Sequence, residues 1–410
     1  MDAPQPDATP SEKSRKSTWE TVLTTTPVVL TVIGTVLAGL SSSEMTLAQY
    51  YRTLAAQSQS KAANQWNFFQ VKRIRGTSLE VYLDLLPAPA RMSVLDAPSL
   101  LTAANAHLRQ LRRVRDAAGK LQLAVNGAQS ELGGNGSPVN QAAARLVKLS
   151  DEQLQAAEKN HEQLGRRART PEAEDAFALI SSRQMPRAAV APIEHAAIAE
   201  EVQAMSNGQD SGAPLTRLNS ADIDTEIHRA EGNTRNVELA LEAPDKVIDE
   251  LGKLVRTQLA LSAMIHQAAR EAVALVEELP ESETKLIGAL RRSASDMQQR
   301  DVALIVAGEE LKNLYKAADH GYTARRYRWE ADFNRQTAQL YELQVRKQSQ
   351  DAERHRERSR LFFFGLLFAQ AGTAISTTAL AARKQSMLWA IASLAGIAAL
   401  GFSLFVYLAV

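Results

Sequence analysis

Histidine, glycine and serine patterns are the first places where this sequence could carry out chemistry, and each of them is incomplete. His161 and Glu162 begin the His-Glu-x-x-His arrangement of zinc hydrolases, but no second histidine follows at the required spacing. The glycine-rich stretch at 133–136 lacks the Gly-Lys-Ser/Thr ending that binds phosphate, and no Gly-x-Ser-x-Gly elbow occurs. Cysteine is absent, which excludes thiolate ligands and nucleophiles. We therefore expect no enzyme, no catalytic residue, no metal site and no cofactor.

Basic residues beside the most apolar parts of the chain suggest a different chemistry, which is contact with lipid phosphate groups. Lysine and arginine near a membrane surface each contribute about 1 kcal/mol to the attraction of anionic lipid. Glu353 and Glu357 reduce the net charge of the longer cluster. We predict headgroup contact, with the lipid bilayer as partner, for six residues: Arg354, Arg356, Arg358, Arg360, Arg383 and Lys384.

Three apolar runs place these basic residues next to a membrane. Each run has about 20 residues, and at about 1.5 Å per residue a helix of that length crosses a hydrocarbon core of about 30 Å. We predict transmembrane helices at 21–41, 361–381 and 387–410, the last two forming a hairpin. For the first run a cleaved signal peptide stays open as an alternative, because basic residues precede it.

Small residues recur four apart within these runs, and such spacing lets helices approach closely in lipid. The predicted packing positions are Gly34, Ala38, Gly365, Ala369, Ala392 and Gly396. Gln370 is the strongly polar side chain deep in a run, and a hydrogen bond to another helix or a pore lining are its two interpretations. The runs contain no charged residue that would mark an ion path.

The long middle of the chain is typical of helices rather than sheets. It is rich in alanine, leucine, glutamine, glutamate and arginine, and the 47 basic residues nearly balance the 46 acidic ones. We predict an all-α integral membrane protein in which 42–360 forms a helical bundle or coiled-coil domain after a disordered basic tail at 1–20. Proline and glycine predict flexible breaks near 87–99, 132–138 and 206–220.

An aromatic and basic segment follows the first run and carries a family resemblance. Its pattern is W-x(2)-[YF]-Q-x-K-x-I-[RK], and the matching residues are Trp66, Phe69, Gln70, Lys72, Ile74 and Arg75. With a first span before it and a two-span hairpin at the other end, the chain resembles the uncharacterised bacterial membrane family "domain of unknown function 4337" at its two ends. The resemblance implies this architecture and a bacterial origin, and it implies no activity.

These observations predict a function that does not involve catalysis. We expect a non-enzymatic, membrane-anchored helical scaffold or interaction protein of the bacterial inner membrane, forming homo-oligomers or holding a protein partner. A signal transducer or channel-like assembly is the alternative. The basic cluster at 109–115 has no aromatic neighbours, so we expect no nucleic acid, and no small-molecule substrate is evident. Basic residues flanking the runs weakly favour a cytoplasmic helical domain.

Overall fold

The computed structural model describes residues 18–86, 96–130, 132, 137–182, 190–208, 215–279, 285–382 and 385–409. Every regular element in these ranges is helical, which confirms the all-α prediction. The α-helices are α1 Thr18–Leu85, α2 Ala97–Gly127, α3 Pro138–Arg167, α4 Pro171–Ser182, α5 Ala196–Ser206, α6 Ser220–Glu277, α7 Lys285–Ala381 and α8 Gln385–Ala409, with a 3₁₀ turn at Leu215–Arg217.

Three helices, α1, α6 and α7, are long and continuous. Helix α1 is continuous over 68 residues and includes both the first apolar run and the aromatic and basic segment. Pro27 and Pro244 lie inside α1 and α6 without ending either helix. Helix α7 is continuous over 97 residues, as expected for a stretch without proline. The first two apolar runs are therefore parts of long helices, whereas the third is the separate 25-residue helix α8.

The predicted breaks correspond to helix boundaries where the structure describes them. Asp96 caps α2, its carboxylate accepting a hydrogen bond of 2.8 Å from the Ser99 amide. Ser137 caps α3 in the same way, with the Asn140 amide 3.3 Å from its hydroxyl. Much of the predicted flexible sequence, at 87–95, 133–136 and 209–214, lies outside the described residues, as does the predicted tail at 1–17.

The chain divides into two compact units. The terminal unit takes in the described residues up to Ala63, His195–Glu226 and those from Gln339 onward. Within it, α1 and α7 are antiparallel, because the contacts move down α7 as they move up α1. Ser41 bonds to Ser359, and Ser58 donates to Gln344 at 2.9 Å.

A seven-residue repeat of small residues lies on the α1 face of the terminal unit that packs inward. The buried or half-buried positions are Gly34, Ser41, Ala48, Ala55 and Ala62. Small side chains at a constant heptad position allow two helix backbones to approach closely along a straight seam. This repeat explains why a helix with so few large apolar residues after Leu40 still packs.

The central unit consists of Asn64–Glu194 and Ile227–Ala338. Its largest core joins α2, α3, α6 and α7 through leucine, valine and alanine. On α2 the fully buried positions alternate by four and three residues: Leu100, Ala104, His107, Leu111, Val114, Ala118, Leu121 and Val125. A second core adds Phe177 of α4, Val247 and Leu251 of α6, and Leu311 of α7. The unit is thus a layered helical bundle whose helices use heptad-like faces.

Candidate functional site

Three helices of the terminal unit contain stretches long and apolar enough to cross a membrane. The helices that qualify are Thr24–Leu85, Lys285–Ala381 and Met387–Leu408. The apolar portions correspond to the predicted spans. Valine side chains on one face of α1 and leucine and isoleucine side chains on α8 point outward, with Val28 62% and Leu394 71% exposed. An outward apolar surface on these segments matches lipid rather than water.

Glycine contacts hold the three apolar stretches together. Leu30 of α1 lies between Gly372 of α7 and Gly396 of α8, and a Cβ built on Gly396 would be 2.7 Å from a Leu30 methyl. A Cβ on Gly372 would be 3.2 Å from the Ala392 carbonyl oxygen. A further contact joins Gly365 to Leu37, whose methyl would be 3.3 Å from an added Cβ. The three helices therefore approach closely at positions where glycine has no side chain.

Most of the predicted packing positions lie in this interface. Gly34, Gly365, Ala369, Ala392 and Gly396 are buried. Ala38 is half-buried on the same side of α1. Gly372 and Leu30 could not be predicted from the spacing of small residues, because a large residue facing two glycines involves three different helices.

Gln370 has an unexpected position. It is exposed on the outer surface of α7, and its amide has no hydrogen-bond partner among the described residues. Ala374 and Thr377 are exposed on the same side of the helix, four and seven residues further on. The chain therefore presents a primary amide and two small side chains at the depth of the apolar stretch.

A layer of polar contacts joins α1 to α7 immediately beyond the apolar stretches. Ser41 and Ser359 bond reciprocally, each hydroxyl donating to the other's carbonyl oxygen at 3.0 and 2.8 Å. The Glu44 carboxylate is 2.5 Å from Nδ1 of His355, whose ring stacks on Tyr51. These contacts fix the register of the two helices at the edge of the apolar stretch.

The four arginines before the second apolar stretch do not share one face. Arg356 and Arg360 line a common cavity with Glu353 and Glu357. Arg354 is exposed elsewhere on the helix, and Arg358 is half-buried with its Nε enclosed and unbonded among the described residues. The other two predicted lipid contacts, Arg383 and Lys384, lie outside the described residues.

A second polar group lies in the terminal unit, further from the apolar stretches. Gln344 of α7 accepts from Ser58 of α1 and donates to Asp224 of α6. Gln339 bonds to Ser206 of α5 at 3.0 Å, and Nδ1 of His195 is 2.7 Å from Glu226. These contacts connect four segments that are distant in sequence, and four of the side chains that form them are buried: Ser58, Glu226, Gln339 and Gln344. Their glutamines and serines gave no sequence signal, because such residues are usually exposed.

The family-like segment packs in the central unit. Lys72 forms an ion pair of 3.0 Å with buried Glu330 of α7, and a Cβ on Gly76 would be 3.4 Å from the Ala324 carbonyl oxygen. Trp66 and Phe69 are half-buried and meet edge to face, whereas Gln70, Ile74 and Arg75 are exposed. Half of the motif therefore packs against neighbouring side chains, and the other half is exposed.

Three histidines of the central unit lie wholly or partly within the helical packing: His107, His161 and His266. Burial lowers the pKa of His107 to about 4, and both ring nitrogens lack a partner among the described residues. Burial, assisted by Arg112, also lowers the pKa of His161. His266 Nδ1 is 2.6 Å from Asp301. Among the described residues, no three histidine, aspartate or glutamate side chains are grouped so that they could hold a metal ion.

Comparison with known proteins identifies one partial similarity. Residues 19–132 match the family model "Domain of unknown function (DUF4337)". This match contains the first apolar run, the family-like segment and α2, and it extends further into the helical middle than the motif alone indicated. It does not include the hairpin, so the resemblance is shown for the N-terminal part only. No curated protein and no solved structure matches the chain.

Proposed function

We propose that the protein is a non-enzymatic helical scaffold anchored in a membrane by three spans. The observation that carries this proposal is the packing of three apolar helices around Leu30, Gly372 and Gly396, with an apolar surface on the outside. In water such a surface would be unfavourable, whereas in a bilayer it needs no cover. The involvement of Leu30 favours an uncleaved first span over a signal peptide, because removal of 22–40 would open this interface.

The scaffold self-associates through the outer face of α7. Gln370 would be in the hydrocarbon core, where an unbonded amide is costly. A second copy can bond to it, and Ala374 and Thr377 leave room for a close approach of two helices. Interhelical hydrogen bonds of this type contribute roughly 0.6–2 kcal/mol in membranes, enough to change a dimer population measurably.

Single substitutions test self-association. The Gln370→Leu variant should dissociate toward monomer at protein-to-detergent ratios where the unmodified protein is oligomeric, as measured by light scattering of the purified protein. Thr378→Val is the matched control, because the Thr378 hydroxyl bonds within its own helix to Ala374. An unmodified protein that is monomeric at all ratios, or a Gln370→Leu variant that associates normally, would contradict this part of the proposal.

A protein partner fits the exposed apolar face of α1 in the central unit. Phe68, Val71, Ile74, Tyr82 and Leu85 are all exposed and follow one side of the helix. Photo-crosslinking from residue 74 in cells should capture a specific protein, and the same probe at Thr77, which is exposed on a more polar side, should not. Absence of any product at 74 would argue against a partner at this face.

A signal transducer is the second candidate, and the continuity of α7 supports it. Because α7 is one helix from Lys285 to Ala381, no break absorbs a rotation or shift before the apolar stretch. Replacing Gly321, which is buried within α7, by proline should uncouple a response at the membrane from the central unit if signalling occurs. Unchanged membrane readouts in this variant would favour the scaffold alone.

A further inference from the structure

A cavity of about 490 Å³ lies in the terminal unit beside the polar edge of the apolar stretches. Its volume is in the usual range for small-molecule sites, about 300–1,000 Å³. Ser41 and Met45 form the α1 wall. The α7 wall is formed by Glu353, Arg356, Glu357, Ser359, Arg360 and Phe363.

The charged side chains of this cavity are arranged by depth. Arg360 is adjacent to the first residue of the apolar stretch, and Phe363 lies inside that stretch. Glu357 is about one turn further out and Glu353 about two turns, roughly 10 Å from Arg360 along the helix. From the apolar stretch outward, the cavity therefore offers the ring of Phe363, then the guanidinium of Arg360, then the carboxylate of Glu357, and beyond them Arg356 and Glu353.

Two of these charges have no ionic partner within the described chain. Glu357 has no ion pair there, and Arg360 has only the ring of Phe364, 5.6 Å from its guanidinium carbon. Glu353 is 3.5 Å from Arg356 and 3.7 Å from Arg52, and all three side chains are more than half exposed, so these ion pairs are weak. The hydroxyls of Ser41 and Ser359 bond to each other's helix and form the back of the cavity.

We propose that this cavity binds the phosphoethanolamine headgroup of a membrane phospholipid. The phosphate lies at Arg360, the ammonium group one turn further out at Glu357, and an acyl chain follows Phe363 and Met45. A headgroup whose phosphate is nearer the acyl chains than its ammonium matches this order of charges. The inference rests on the proposed function, since the headgroup reaches the cavity only when the apolar stretches are in a bilayer.

The charge balance distinguishes phosphoethanolamine from other headgroups. Arg360 and Glu357 offer one unpaired cation and one unpaired anion, which suits a zwitterion, whereas an anionic headgroup would meet the Glu357 carboxylate without a cation of its own. A primary ammonium donates three hydrogen bonds to carboxylates. A choline headgroup has no N–H donor and is recognised by aromatic rings, and the aromatic ring of this cavity, Phe363, is at its apolar end.

The test begins with insertion and then measures lipid selection. Carbonate extraction of membranes from expressing cells first establishes whether the full chain is integral, and an extractable protein would overturn both the proposed function and this inference. The purified integral protein is then mixed with equal amounts of phosphatidylethanolamine, phosphatidylcholine and phosphatidylglycerol of identical acyl chains. Bound lipid is counted by native mass spectrometry.

We expect a preference for phosphatidylethanolamine of about three- to five-fold, the size expected from partly exposed charge pairs. Glu357→Gln should abolish this preference over phosphatidylcholine while leaving total bound lipid unchanged, and Arg360→Gln should reduce binding of all three lipids. Arg113→Gln, which changes an exposed arginine of α2 in the central unit, is the control that should match the unmodified protein.

Three results would overturn the inference while leaving membrane insertion intact. These are equal binding of phosphatidylethanolamine and phosphatidylcholine by the unmodified protein, a preference for phosphatidylglycerol, and an undiminished preference in Glu357→Gln. Free O-phosphoethanolamine at a tenfold excess should leave the bound lipid unchanged, because the acyl chains supply most of the affinity. Full displacement by the free compound would show that the ligand is a soluble molecule and not a membrane lipid.

Discussion

Individual glycines determine how the three apolar helices meet, and their effects are separable by substitution. Gly372 faces the Ala392 carbonyl oxygen and Leu30, whereas Gly401 on α8 has nothing within 4 Å of an added Cβ. Gly372→Leu should therefore force the helices apart at a cost of roughly 1–3 kcal/mol. Its thermal unfolding midpoint in detergent should fall by several degrees, while Gly401→Leu remains near the unmodified protein. Equal midpoints for the two variants would contradict the observed packing.

His107 makes the stability of the central unit depend on pH. Its pKa is about 4 in the folded protein because the ring is buried, and about 6.5 in the unfolded chain. Between pH 4 and pH 6.5 His107 is protonated in the unfolded chain but neutral in the folded protein. The free energy of unfolding is therefore highest above pH 6.5 and falls as the pH drops toward 4. The slope is at most about 1.4 kcal/mol per pH unit for one histidine.

Denaturant unfolding of the full protein at pH 7 and pH 5 measures this slope. His107→Leu places an apolar residue at this heptad core position and removes the titrating ring. This variant should therefore lose less stability between pH 7 and pH 5 than the unmodified protein does. His228→Leu is the control, because His228 is exposed. A pH dependence that is identical in all three proteins would exclude His107 as its source.

At the residue scale, sequence reasoning found the small residues of the spans but not their partners. Gly34, Ala369 and Gly396 were predicted from four-residue spacing, which is a property of one helix. The insertion of Leu30 between Gly372 and Gly396 depends on the alignment of three helices, and no single helix contains that information. His107 was missed for a related reason, since a histidine is ordinarily expected on a surface.

The length and direction of α1 and α7 are the main results at the scale of elements. Sequence patterns predicted helix throughout, and the absence of proline after Pro280 predicted the continuity of α7. The seam on α1 was harder to predict, because Ser41, Ala48, Ala55 and Ala62 are small and barely register as apolar. Their seven-residue spacing was the available signal. The predicted coiled-coil character of this region remains a proposal that rests on that spacing.

An engineered disulfide tests the register of α1 against α7. The chain has no cysteine, so added pairs are the only ones present. Hydroxyls of Ser41 and Ser359 are 3.2 Å apart, so the Ser41→Cys, Ser359→Cys double variant should oxidise readily to a product of altered electrophoretic mobility. Ser42→Cys with Ser359→Cys shifts one position onto an exposed face and should not form the bond. The opposite pattern would place the helices one residue out of register.

At the scale of the whole molecule, the three apolar stretches support the proposed membrane scaffold more strongly than any chemical motif does. Composition and hydropathy predicted an all-α chain with three candidate spans, because both depend on local sequence. The charged cavity at 353–363 could not be predicted from sequence. A count of charges treats its residues as one basic cluster whose net charge is lowered by two glutamates, and it does not show which side chains share a cavity. Depth along α7, rather than net charge, separates phosphate-facing from ammonium-facing groups.

Labelling of single cysteines in intact cells tests the central claim, which is that the chain crosses a membrane with its helical middle on one side. Leu123→Cys reports on the central unit, where that side chain is 71% exposed, and Gln385→Cys reports on the link between the last two spans. We predict that an impermeant maleimide labels residue 385 from outside the cell and residue 123 only after permeabilisation. Labelling of both positions, or of neither, in intact cells would contradict a membrane between them.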